Sequence, residues 1–182
     1  AAGSPCIEAG ENAFAIGLRD LDGNPRIVNA RVDMGAYEYQ DGTHLVIAPT
    51  ATNLDSGASS GHEIEVLASV SWTAATNVSW LSVTSGGAGT TNGMVHFSAA
   101  TNGITGARTG AVIVTGGGLS RTCTVVQAPF VPALELEPAS TNVGSGAVNG
   151  LTASVTANMD WTASTNVPWL AISSGDSGTT NG

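Results

Sequence analysis

Two stretches of this chain set a pair of tryptophans around an asparagine at one spacing, Trp72, Asn77 and Trp80 in the first and Trp161, Asn166 and Trp169 in the second. An indole can lie flat on the apolar face of a sugar ring while a neighbouring amide hydrogen-bonds the hydroxyls, the division between apolar platform and polar orienter that small-ligand sites use. Trp80, Asn77, Trp169 and Asn166 are therefore the candidate ligand-binding residues. The competing account is structural: Trp80 closes the end of a folded domain with its indole over core edges, because large aromatics are seldom left exposed without a partner. The recurrence of Asn-Val-x-Trp-Leu in both stretches suits either account.

Other reactive side chains lack the spacing their chemistry needs. Asp20, Asp22 and Asn24 alternate as at the start of a calcium loop. The sixth position, however, is Pro25 and the twelfth Arg31, where such a loop needs glycine and an acid. A polar turn, with Asp and Asn bonding their own backbone, is the reading that remains. Asp33 and Glu38 are expected to pair with Arg26 or Arg31 rather than to act as glycosidase carboxylates, which need a cleft between them. His44, His62 and His96 share no spacing and no GxSxG elbow accompanies them, so no catalytic residue is assigned. Cys6 and Cys123 belong to no CxxC or Cys/His cluster and are expected to be two buried free thiols. The sequence thus predicts no enzyme, no metal site and no cofactor.

The elements that must hold the tryptophans have a period of two. Ile64, Val66, Ala68, Val70 and Trp72 share one parity, and Glu63, Glu65, Ser69 and Ser71 take the other, as in a strand with one buried face. Trp72 is thereby placed in the core, and so is Trp161, which shares parity with Val155 and Met159. If Leu81 and Val83 point inward, alternation sends Trp80 outward, and Trp169 likewise beside Leu170 and Ile172. Further strands are predicted over Leu45–Ile47, Leu81–Val83, Met94–Ala99, Ala111–Thr115 and Thr122–Val126, separated by Gly, Asn and Ser clusters. This is the pattern of an all-β chain, an immunoglobulin-like antiparallel β-sandwich.

The sandwich pattern is written more than once. Leu45 to Gly93 overlies Leu134 to Gly182 without a gap at a shift of 89 residues (134 − 45), and Gly89-Thr-Thr-Asn-Gly93 returns unchanged as Gly178-Thr-Thr-Asn-Gly182. A period this long is domain-sized, well above the roughly 20 to 50 residues of solenoid repeats. Nothing after Gly182 matches Met94 to Pro129, and the chain reads as an internal fragment of a longer protein. Three segments are expected: 1–40, 44–130 and 133–182, joined by the turn-rich Gln40-Asp-Gly-Thr43 and by Pro129-Phe-Val-Pro132. The third lacks about half a core, so its open strand edges invite disorder or aggregation.

Charge narrows the partners. The 182 residues carry 14 acids against five arginines and no lysine, a net charge of −9. Nothing here neutralises a run of phosphates, and no polybasic patch serves an anionic membrane, which argues against nucleic acid and membrane-surface partners. No apolar run approaches the roughly 20 residues of a membrane span.

At the level of motifs, Pro49, the strand into Ser71-Trp72-Thr, Trp80-Leu-Ser-Val, Gly106-Ala-Arg-Thr-Gly-Ala-Val-Ile-Val and the closing Val-Val-Gln-Ala-Pro129 resemble the BACON domain, a bacterial immunoglobulin-like module frequent in Bacteroidetes. The resemblance covers the second segment and the first half again in the third. Ser4-Pro-Cys-Ile-Glu-Ala-Gly10, Asp20-Leu-Asp-Gly-Asn-Pro-Arg26 and Val32-Asp-Met-Gly-Ala-Tyr-Glu-Tyr39 are similar to the closing coil of right-handed parallel β-helix proteins. These resemblances imply a secreted or cell-surface bacterial multidomain protein whose missing upstream part is a β-helix. They also imply a monomeric, non-catalytic module that associates with polysaccharide or glycoprotein glycans, with a rigid spacer as the alternative.

Overall fold

Backbone pairing needs a partner for every buried N–H and C=O, and short strands rich in Val, Ile, Thr and Trp meet that need by laddering side by side. The computed structural model describes residues 3–28, 31–40 and 42–181. Ala1, Ala2, Asn29 and Ala30 of the first expected segment, Asp41 of the expected linker and Gly182 at the end of the repeat lie outside the described residues. Among those described there is no α-helix, and no helix is long and apolar enough to cross a membrane. The chain divides into two compact units, Ala1–Phe130 and Val131–Gly182.

The first unit contains a two-layer β-sandwich. One sheet has four antiparallel strands in the order β1 (Leu45–Ala48), β3 (Ser59–Ala68), β7 (Gly93–Ala99) and β5 (Leu81–Ser85). The other has five, in the order β2 (Ala51–Leu54), β9 (Leu119–Gln127), β8 (Arg108–Gly116), β4 (Trp72–Thr76) and β6 (Ala88–Gly89), antiparallel except where β2 meets β9. Inward residues of alternate positions meet between the layers: Leu45, Ile47, Ile64, Val66, Val95 and Phe97 from one sheet, Trp72, Val112, Val114, Cys123 and Val125 from the other. The predicted strands over Leu45–Ile47, Leu81–Val83, Met94–Ala99, Ala111–Thr115 and Thr122–Val126 are present, and Cys123 and Val125 face inward as their alternation requires.

One expected strand is divided. Ile64 to Trp72 does not run through: β3 ends at Ala68, Ser69–Ser71 turn, and Trp72 opens β4 in the opposite sheet. Parity is kept across the turn because both ends still face the same core. Ser69 holds the crossing, its N–H donating to the His44 carbonyl at 3.1 Å and its Oγ accepting from the His44 N–H at 3.0 Å. Outside the sheets, the described residues between 3 and 43 form one 3-10 turn, Asn12–Phe14, and two isolated bridges. Cys6 in this segment is exposed, not buried as expected, because no strand alternation orders the loop around it.

The second unit has β10 (Leu134–Glu137) paired with β11 (Ser154–Ala157), and β12 (Trp161–Thr162) paired with β13 (Ser177–Gly178). Leu134 faces Ala157 and Trp161 faces Gly178, the same registers as Leu45 with Ala68 and Trp72 with Gly89 at the shift of 89.

Both buried tryptophans rest on glycine. A Cβ added at Gly89 would stand 2.6 Å from Trp72 Cζ2, and one at Gly93 2.8 Å from the same atom. Gly89→Ala therefore overpacks a well-filled site. We expect it to destabilise the first unit by about 1–3 kcal/mol in urea denaturation; a loss under roughly 0.5 kcal/mol would mean that the indole is not seated on this glycine.

Candidate functional site

Trp80 lies in the tight turn that joins β4 to β5, one residue before the strand whose alternation was used to orient it. In this turn the alternation of Leu81 and Val83 does not extend to Trp80, and the ring is half-buried rather than turned outward. It packs against the sandwich core beside Val78. Gly110 of β8 makes room for it: a Cβ there would come within 2.9 Å of Trp80 Cζ2 and 2.5 Å of Val78 Cγ2. Over the ring sits the Arg108 guanidinium, its Cζ 4.4 Å from the centroid, a cation–π contact.

Asn77 is held by β8 as well. Its N–H donates to the Ala111 carbonyl at 3.2 Å and its Oδ1 accepts the Ala111 N–H at 2.7 Å, so the side chain continues the ladder of β4 past Thr76. The Asn77 oxygen is thus engaged, while its amide nitrogen makes no hydrogen bond among the described residues. In the second unit the local turn is the same, with Leu170 N–H donating to Val167 O at 3.4 Å as Leu81 does to Val78 at 3.4 Å. Asn166 is exposed there, and Trp169 is 74% exposed.

The structure adds residues that spacing alone did not single out. Gln127, fully buried at the end of β9, accepts from Arg108 Nε at 2.9 Å through Oε1 and donates through Nε2 to the carbonyls of Gly57 at 3.0 Å, Ala100 at 3.1 Å and Ser56 at 3.3 Å. Arg108 Nη2 donates to the Ala100 carbonyl at 2.6 Å. Asn102, also fully buried, bridges the Gly106 and Ala128 carbonyls at 2.9 and 2.8 Å. Arg108 is fixed by these bonds above Trp80, and its Nη1 makes no hydrogen bond among the described residues. The signal for this cluster was in the sequence: Gln127 shares the inward parity of Cys123 and Val125, and a polar side chain at a core position demands partners.

The acidic residues of the first segment do not form the expected ion pairs. Asp33 accepts the Glu8 and Tyr39 amides at 2.6 and 2.8 Å, and Glu38 accepts those of Val28 and Asp33 at 3.1 and 2.9 Å. Arg26 and Arg31 donate instead to the carbonyls of Gly35 and Gly10, at 2.6 and 2.8 Å. A segment without a ladder leaves backbone groups unpaired, and these side chains complete them. Asp20 behaves as the polar-turn reading requires, its Oδ1 accepting the Asp22 and Asn24 amides. Burial raises the Glu38 pKa above the usual carboxylate value; the two amides and the Arg26 charge pull it back, and Asp33 adds to the rise. Two concavities, of about 170 and 270 Å³, lie in this segment, and Asp33 on the wall of both has each oxygen committed to backbone. Among the described residues no group of three or more His, Cys, Asp or Glu is placed to hold a metal ion.

Residues 70–128 match the model of the BACON family, described as "Putative binding domain, N-terminal". This range contains Asn77, Trp80, Arg108 and Gln127. No curated protein matches the chain. Among solved structures it is similar to a Bacteroides ovatus GH5 xyloglucanase in complex with a XXXG heptasaccharide, with 21% identity and a TM-score of 0.44. That likeness covers 48% of this chain and 19% of the other, so the chain spans about a fifth of that protein's length.

Gln127→Met keeps the volume and removes the partners. We expect a loss of about 1–3 kcal/mol in urea denaturation, together with greater acrylamide quenching of Trp80 as Arg108 loses its anchor. Unchanged stability and quenching would show that Gln127 does not hold the pair.

Proposed function

We propose that this chain is a non-catalytic binding region of a secreted or cell-surface bacterial multidomain protein, associating with carbohydrate through the Trp80 end of its sandwich. In this reading residues 44–130 are a complete immunoglobulin-like BACON-type module, residues 133–182 an incomplete second one, and residues 1–40 the closing segment of a β-helix. The observation that carries it is the Trp80–Arg108 pair: a half-buried indole under a guanidinium whose Nη1 makes no hydrogen bond among the described residues. Indole carbon and a guanidinium N–H are the apolar and polar halves of a sugar contact, with the Asn77 amide nitrogen nearby to add a donor. Trp169 and Asn166 repeat the Trp80 and Asn77 spacing at the shift of 89, though among the described residues no guanidinium stands over Trp169, and tandem sites of modest affinity gain by linkage. The net charge of −9 favours neutral glycans over acidic ones.

A spacer role is the second reading, and one observation favours it. Arg108 covers Trp80 and Ala111 occupies the Asn77 oxygen, so both candidate residues already serve the fold.

The two readings separate in one titration. With residues 1–182, a panel of soluble neutral and acidic polysaccharides is added while tryptophan emission and acrylamide quenching are followed. Binding predicts that a neutral glycan protects the emission and that Arg108→Lys, which keeps the charge but not the planar fork, weakens the effect by roughly tenfold. If no glycan alters any tryptophan signal, carbohydrate binding is wrong and the spacer reading stands.

A further inference from the structure

The outer face of the four-stranded sheet carries a buried leucine. On β3, Ile64, Val66 and Ala68 point into the core, and Glu63, Glu65 and Leu67 take the opposite side. Glu63 is exposed and Glu65 half-buried, but Leu67 is 1% exposed while standing outside the core cluster. Its cross-strand neighbour Val46 is only half-buried. A side chain on that face leaves water only where another part of the chain lies over it. The first segment reaches this place: Arg19 donates through Nε to Glu65 Oε1 at 2.9 Å and through Nη2 to the same oxygen. Glu65 and Leu67 are two residues apart on one strand, hence neighbours on one face. Arg19 is itself fixed, its Nη1 donating to the Gly23 carbonyl at 2.6 Å and its backbone bridging to Pro25.

The connector between the first segment and β1 is tied down as well. Gln40 Nε2 donates to the carbonyls of Pro25 at 3.1 Å and Glu38 at 3.3 Å. The Gly42 carbonyl accepts from Ser69 Oγ at 3.4 Å, the same oxygen that takes the His44 N–H. Thr43 packs where the β8–β9 turn meets Val70: a Cβ on Gly117 would come within 2.7 Å of Thr43 Cγ2 and 3.1 Å of both Val70 methyls. His44 Nδ1 is shut away from water.

We propose that the first segment docks on the outer face of the four-stranded sheet, over Leu67 and Glu65, and that it folds and moves with the sandwich as one rigid body. The turn-rich connector is then a fixed joint rather than a hinge. A surface ion pair holds little by itself. The larger contribution is the burial of Leu67, with Arg19 and Glu65 setting the position. A boundary drawn at residue 44 from strand pattern therefore leaves out part of what covers the sandwich, and the Trp80 end keeps a set direction relative to the first segment. This joint is independent of whether the sandwich binds a glycan.

The two tyrosines of the chain, Tyr37 and Tyr39, both lie in the first segment and its four tryptophans all lie beyond it, so fluorine labels separate the parts. Residues 1–182 carrying 3-fluorotyrosine, and in a parallel sample 5-fluorotryptophan, are titrated with urea, with Trp80→Phe assigning the Trp80 resonance. We expect the native tyrosine and Trp80 resonances to vanish at one midpoint. Leu67→Ala should lower the tyrosine midpoint by about 1 M. Arg19→Gln, at an exposed position outside the core, should lower it by less, a difference that high salt removes. The proposal is overturned if the tyrosines lose their native resonances at clearly lower urea than Trp80 does. It is equally overturned if Leu67→Ala shifts Trp80 and leaves the tyrosines where they were, which would put some other part of the chain over Leu67.

Discussion

The seating of Trp72 on glycine is the contact on which the sandwich depends. The ring lies between a strand of one sheet and the loop that leaves it for the other: β6 passes beneath at Gly89, and Gly93 opens β7 in the facing sheet. Any Cβ at Gly89 or Gly93 would meet the indole at less than 3 Å, and one at Gly116, opposite Trp72 on β8, would stand 2.5 Å from the Ser71 carbonyl oxygen. The Nε1 bond to Thr91 then fixes the height of the loop, and Asn92 fastens it to the end of β3. Burying an indole removes roughly 150–250 Å² from water, a gain of about 4–6 kcal/mol on area bookkeeping. That is comparable to the whole stability of a small domain. One side chain thus sets where the chain crosses between layers, and the rest of the core fills around it.

The other end of β8 is built on the opposite principle. Arg108 and Gly116 stand at the two ends of the strand, roughly 26 Å apart at about 3.3 Å per residue, and at the Arg108 end polar groups replace apolar ones. Gln127 and Asn102 go into the interior with their donors and acceptors matched to carbonyls of loops that would otherwise close over nothing. A matched buried network specifies geometry more sharply than apolar packing, because each lost partner leaves an unpaid desolvation. Arg108 belongs to that network and to the Trp80 ring together. The candidate site is therefore rigid, which suits a binding surface whose ligand must not meet the entropy of ordering it.

Much of this fold was legible in the sequence because strand alternation is a local signal. The parity of Ile64, Val66 and Ala68, and that of Cys123 and Val125, translated directly into the core. Reading failed where no ladder runs. Trp80 sits in a turn, so alternation from Leu81 could not orient it, and its cover comes from Arg108, 28 residues further on (108 − 80). Asp33 and Glu38 were read as ion-pair partners by charge alone, but in a segment with few strand bonds the nearest unmet need was backbone N–H. Cys6 had no alternation from which burial could be read. The buried Gln127 was visible as a polar residue at an inward parity, although its partners Ser56 and Ala100 could be supplied only by the fold.

The two units make the same point about locality in one molecule. Matching short segments, Trp72–Leu81 with Trp161–Leu170 and Gly89–Asn92 with Gly178–Asn181, give the same turn at Trp80 and Trp169, the same tryptophan bond to a threonine carbonyl and the same asparagine fastener. Those contacts lie within each unit. Burial of Leu45, Ile47 and Leu81 is instead conferred by strands up to 80 residues away (125 − 45), and their counterparts Leu134, Leu136 and Leu170 are exposed. Secondary pairing and side-chain fastening of this kind therefore do not depend on the burial seen in the first unit. Residues 131–182 keep the registers of their strand pairs while Leu134, Leu136 and Leu170 stay exposed.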